Sequence, residues 1–139
     1  MPVKKKTVLC ALALFACGAY APNALADEVW TTQESDVVYE EDRGKTAIWS
    51  YDNGGSIFIY GLAGVVTDRG SYTGYWTQPT SSVRCDTFRE NELGEPTYHW
   101  GRFDITFIDS EFPSRWYANI ALCDGEHMIH LDGEPVTAE

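Results

Sequence analysis

Phe103, Ile105 and Phe107 alternate with Arg102, Asp104 and Thr106 within Tyr98–Asp109. That two-residue period is the strongest constraint the chain places on its fold. Successive side chains of a strand point to opposite faces, so this stretch reads as a strand with one face in a core and the other in water. After Asp27, no window of a dozen residues repeats apolar side chains at helical spacing. Short runs of Val, Ile, Thr, Tyr, Phe and Trp alternate instead with turn signals, the pattern of an all-β chain.

In chain order, Asp36–Glu41 and Lys45–Tyr51 read as strands joined at Asp42-Arg43-Gly44. Asp52-Asn53-Gly54-Gly55 is the strongest turn, because Asn-Gly readily takes the positive φ angles of a tight hairpin. Ser56–Tyr60 follows, with Gly61–Val66 read as its glycine-interrupted extension. In Ser71–Gln78, Tyr72, Gly74 and Trp76 share one face, and Gly74 is expected to leave a gap for an aromatic ring. Val83–Arg89 reads as a strand, Glu90–Pro96 as a mobile polar loop, and Arg115–Leu122 and His127–Leu131 as the last strands, before a frayed tail over Glu134–Glu139. About eight strands in sequential hairpins predict an antiparallel meander, closed as a small barrel or folded as a sandwich, since an open sheet would expose two edges.

The N-terminus predicts export. Lys4, Lys5 and Lys6 precede an apolar run from Val8 to Ala16, and Ala24-Leu25-Ala26 gives a small-x-small cleavage site before Asp27. Residues 1–26 are therefore read as a signal peptide and 27–139 as a single β domain, periplasmic or secreted. A competing route lies in Leu14-Phe15-Ala16-Cys17, a lipobox-like sequence that would place a lipid anchor on Cys17. The apolar run is shorter than the roughly 20 residues needed for a membrane span. Cleavage at Ala26 removes three of the ten basic residues and none of the 21 acidic ones, so the charge moves from −11 to 7 − 21 = −14. Such a chain repels nucleic acid and anionic lipid and favours cationic partners. Cys85 and Cys123 then remain, and in an oxidising compartment they are expected to pair. Closing that loop is worth about 3–4 kcal/mol in the chain-entropy treatment.

The hairpin order and the sequence Tyr72-x-Gly74-x-Trp76 resemble small secreted β-barrel binding proteins of the avidin and lipocalin kind. The resemblance covers most of the chain after residue 26 as a pattern of strands. It implies no particular ligand, pocket or residue.

Five tryptophans, and seven tyrosines after residue 26, supply the first site candidates. Trp49, Trp76 and Trp116 share faces with other apolar residues and read as core. Tyr75, Tyr98, Trp100 and Tyr117 fall opposite the apolar faces or at a strand's start, and with His99 they form the expected binding surface. Asp124–Glu134 holds two His, two Asp and two Glu, which would suit a divalent metal. His127 and His130, three apart, are nevertheless expected on opposite faces of a strand, so no metal or other cofactor is assigned. Asp104, Asp109 and Glu111 are the nearest thing to a carboxylate pair, and His99 could meet any of several serines. No nucleophile elbow or zinc-protease helix is present, and the reading favours a non-catalytic role. The expected function is an exported binding domain for a saccharide or a protein. The alternatives are an acidic inhibitor of a cationic, lysozyme-like cell-wall hydrolase, plugging its cleft with Glu90–Pro96, and a small hydrolase.

Overall fold

A computed structural model describes residues 28–52 and 54–136. The expected signal peptide, its cleavage site at Ala26 and Asp27, and the Cys17 anchor lie outside those residues. Among the described residues ten strands form: β1 Val29–Thr31, β2 Asp36–Arg43, β3 Thr46–Tyr51, β4 Gly55–Tyr60, β5 Ser71–Thr77, β6 Arg89–Glu90, β7 Pro96–Thr97, β8 Trp100–Phe107, β9 Trp116–Ala121 and β10 His127–Pro135. Eight of them close a barrel in the order β1-β10-β9-β8-β5-β4-β3-β2, and every pairing is antiparallel. Closure removes both edges of the sheet, which decides between the barrel and the sandwich.

The alternation in β8 runs as expected: Phe103, Ile105 and Phe107 are buried and Arg102, Asp104 and Thr106 half-buried. The interior also holds Trp30, Val37, Tyr39, Trp49, Ile57, Ile59, Leu62, Trp76, Trp116, Ala118 and Leu131. Trp30 stacks on Trp49 at 4.5 Å between ring centroids, and Trp116 meets both at 6.1 and 5.6 Å. Burying these rings is the main apolar gain of so small a core.

Four local expectations are corrected. Gly61–Val66 leaves the sheet and turns across one barrel end, with Gly61 N–H and Ala63 N–H both donating to the Lys45 carbonyl and Gly61 at φ +86°. Gly74 meets backbone where a ring was expected: a Cβ there would sit 1.7 Å from the Phe58 carbonyl oxygen. Val83–Arg89 is no strand except for Arg89, and Glu90–Pro96 is the turn of the β6–β7 ribbon, where the Asn91 side chain accepts from Leu93 N–H and Glu95 N–H. At the C-terminus, Glu134 and Pro135 extend β10 to pair with Thr31 and Trp30, so the tail is barrel wall as far as Pro135.

Gln78–His99 links β5 to β8 by an excursion across the outside of the barrel. Trp100 Nε1 donates to the Thr87 carbonyl (2.8 Å), the Tyr75 hydroxyl to the Glu90 carbonyl (2.9 Å), and the Arg89 guanidinium lies over both rings. Beneath it, Ile48, Phe58 and Tyr75 form a second, external apolar cluster. The Cys85–Cys123 disulfide ties this excursion to the β9–β10 connection. A disulfide is consistent with a non-cytoplasmic protein. Among the described residues no helix is long and apolar enough to cross a membrane.

Candidate functional site

In an up-and-down barrel, alternate connections gather at the same end. Here one end is filled. Arg69 makes two 3.0 Å hydrogen bonds to the Glu28 carboxylate, donates from Nε to the Val65 carbonyl (2.8 Å) and lies over the Phe107 ring. The side chains of this pair are 0% and 5% exposed. Trp30 Nε1 donates to the Ser114 carbonyl at 2.9 Å, whereas Nε1 of Trp49 and of Trp116, packed against it, are buried without a hydrogen-bond partner.

The opposite end is open. The β1–β2, β3–β4 and β9–β10 connections and the start of the excursion surround a cavity of about 380 Å³. Val37, Ile57, Trp76, Phe103, Ile120 and Leu131 form its apolar wall. Its rim carries Thr32, Ser35, Gln78, Ser81 and Ser82 as polar groups and Met128 and Ile129 as exposed apolar ones, 66% and 47% accessible. Trp76 is fixed as a wall residue by its Nε1 donating to the Ala121 carbonyl (2.8 Å) and by Gly101, where a Cβ would lie 2.5 Å from the indole nitrogen. Tyr51 leans in from β3, its hydroxyl donating to the Thr77 carbonyl (3.1 Å), and burial pushes its pKa well above the usual tyrosine value.

The sequence-expected surface is dispersed by the excursion. Tyr75 and Trp100 do point outward, but they are 8% and 2% exposed because Gln78–His99 covers them, so neither presents a free ring. Burial also pushes the Tyr75 hydroxyl up to about 12. Tyr98 is half-buried, with the Arg84 guanidinium 3.9 Å over its ring and Phe88 at its edge. Tyr117 is accessible on the far wall, stacked on the His130 ring at 5.6 Å. These four rings share no cleft of the described structure.

His99 selects one serine, Ser81, with Nδ1 2.9 Å from its Oγ. That hydroxyl already donates to the Val83 carbonyl (2.7 Å), so the imidazole N–H donates to it and the pair pins the excursion. A serine poised for attack would give its proton to the imidazole. The carboxylates are similarly divided: Asp104 engages His127 and Arg102, and Asp109 engages Arg115 through two side-chain hydrogen bonds of 3.0 and 2.9 Å.

The expected separation of His127 and His130 is corrected. A register shift between His127 and Ile129 inserts an extra residue and restores both imidazoles to the outer face. There His127 meets Asp104 while His130 meets Asn119 at 3.0 Å. Among the described residues no group of three or more His, Cys, Asp or Glu is placed to hold a metal ion.

In the sequence Trp76, Phe103 and Ile120 of the wall read as core or inner-face residues, and Asp52, Ser81 and Ser82 of the rim as turn or loop residues. The signal that would have joined them is the meander itself, because its first, third, fifth and seventh connections must share one end. Comparison with family models, with curated proteins and with solved structures finds no match to this chain.

Proposed function

We propose that the protein is an exported, non-catalytic binding domain that takes a small, largely apolar ligand into the open end of its barrel. The observation that carries this is the 380 Å³ apolar cavity, which falls in the size range of small-molecule sites and has a polar rim to orient what enters. The saccharide or protein suggested by the tyrosines and tryptophans gives way to this ligand because Tyr75 and Trp100 are covered, whereas the cavity already assembles Trp76, Phe103 and four aliphatic side chains. The disulfide and the leader-like N-terminus support export.

Titration with phenylnaphthylamine, a neutral fluorophore that brightens in apolar surroundings, tests the reading. Saturable binding is expected, with quenching of Trp76 emission. Ile120 is half-buried in the cavity wall, and Ile120→Trp should abolish binding by filling the space. Absence of saturable binding, or binding unchanged in Ile120→Trp, refutes the site.

A second reading attaches to the β6–β7 ribbon. Leu93 is 72% exposed at its tip, between Glu92 and Glu95, and Glu92 is braced by a 2.9 Å hydrogen bond from Ser56. An apolar tip with an acidic collar suits insertion into the cleft of a cationic hydrolase. Binding to a basic lysozyme that weakens steeply with salt and is lost in Leu93→Ala supports it, and no binding at low salt removes it.

A further inference from the structure

The wall of the open cavity is apolar, and among the described residues the only charged ones that line it are Glu34 and Asp52. Both lie exposed on the rim, Glu34 in the β1–β2 connection and Asp52 in the β3–β4 hairpin. Among the described residues neither carboxylate makes an ion pair, and no Lys, Arg or His lines the cavity. The other polar rim groups are neutral hydroxyls and the Gln78 amide.

From this asymmetry, and resting on the small-ligand reading above, we propose that the ligand is a cationic amphiphile: an apolar chain or ring system that fills the barrel mouth, with an ammonium-type head held at the rim between Glu34 and Asp52. Burial of the chain in the wall of Val37, Ile57, Phe103 and Leu131 supplies the affinity. The two rim carboxylates supply the selection. An anionic head group, such as that of a fatty acid or an alkyl sulfate, would sit beside two like charges with no counter-charge among the described cavity-lining residues. The head sits in solvent, where each charge acts weakly, so the two carboxylates together should give roughly a tenfold preference for a cationic over an anionic head. That preference should shrink as salt is added.

Displacement of phenylnaphthylamine by octyltrimethylammonium, octanol and octyl sulfate, each kept below its micelle concentration, tests the assignment. The expected order is cation, neutral alcohol, anion, with about tenfold between the ends at low salt. The double variant Glu34→Gln, Asp52→Asn should collapse that ratio toward unity, whereas Asp68→Asn with Glu111→Gln, in connections at the closed end, should preserve it. Both rim positions are exposed, and asparagine tolerates the φ of +49° at residue 52, so the rim variant should fold.

Equal displacement by all three amphiphiles, or a preference for octyl sulfate, overturns the charge assignment while leaving the apolar site standing. A cationic preference that survives the rim substitutions also overturns it, because the selection would then come from the overall negative charge. If none of the three displaces the probe, or the probe itself does not bind, both the assignment and the small-ligand reading fall.

Discussion

The two ends of this barrel solve the same problem in opposite ways. A closed sheet must do something with the space at each mouth. At the closed end Arg69 and Glu28 are withdrawn from water and satisfied by one another, by the Val65 carbonyl and by the Phe107 face. At the open end the apolar wall from Val37 to Leu131 lines a cavity. The contrast teaches that stability is concentrated where polar groups are buried and paired, while the region free to accept a partner is where apolar surface is left uncovered.

The largest effect should come from breaking the plug. Arg69→Ala leaves the Glu28 carboxylate buried without its partner, which costs about 3–5 kcal/mol. Urea denaturation followed by circular dichroism should show the midpoint fall with an unchanged slope. A loss below 1 kcal/mol would mean that the closed end is not the anchor of the fold. Next comes the disulfide. Opening the loop between Cys85 and Cys123, 38 residues apart, in a Cys85→Ser, Cys123→Ser variant should cost about 4 kcal/mol by chain entropy. It should also loosen the excursion over Trp100, seen as a red shift in tryptophan emission. Smaller again is Ile120→Trp at the open end. A ring added to an unfilled mouth should change the unfolding free energy by about 1 kcal/mol or less while removing ligand binding. A loss comparable to that of Arg69→Ala would show that the mouth, too, is load-carrying core.

The sequence made the walls of this structure legible and hid its openings. Two-residue alternation predicted the inner faces of β5, β8 and β9, and turn chemistry placed the hairpin at Asp52–Gly55, because both are local properties of the chain. Local pattern fails wherever a distant segment decides a residue's surroundings. Trp100 points outward as its parity requires, yet Thr87 and Arg89 return across it from the excursion. His127 and His130 share a face because one extra residue enters β10 opposite β9. Glu134 and Pro135 looked like a polar tail, but closure of the barrel needed a partner for β1, a strand of three residues that carries too little pattern to stand out. The candidate site was hidden for the same reason. Glu34 and Asp52 are separate turn residues until closure brings their connections to one rim.

The smallest prediction sharpens the closed end against itself, since that end carries an exposed ion pair as well as a buried one. Asp109 and Arg115 bracket the β8–β9 connection in open solvent, joined by the two side-chain hydrogen bonds and a third from Arg115 N–H (2.9 Å). The side-chain hydrogen bonds from Arg115, aided by its backbone N–H, lower the Asp109 pKa from the usual 3.8 to about 2. Because the folded-state value is the depressed one, any stability this pair provides is present above pH 3.8 and fades as pH falls through about 2. Solvent and salt screen so exposed a pair, so its contribution should lie far below that of Arg69–Glu28. Carboxyl-carbon NMR titration should place the Asp109 midpoint near 2, and Arg115→Ala should return it towards 3.8 with little change in the urea midpoint at neutral pH. If Arg115→Ala instead destabilised the fold as much as Arg69→Ala, burial would not be what distinguishes the two pairs, and the contrast between plugged and open ends would rest on charge alone.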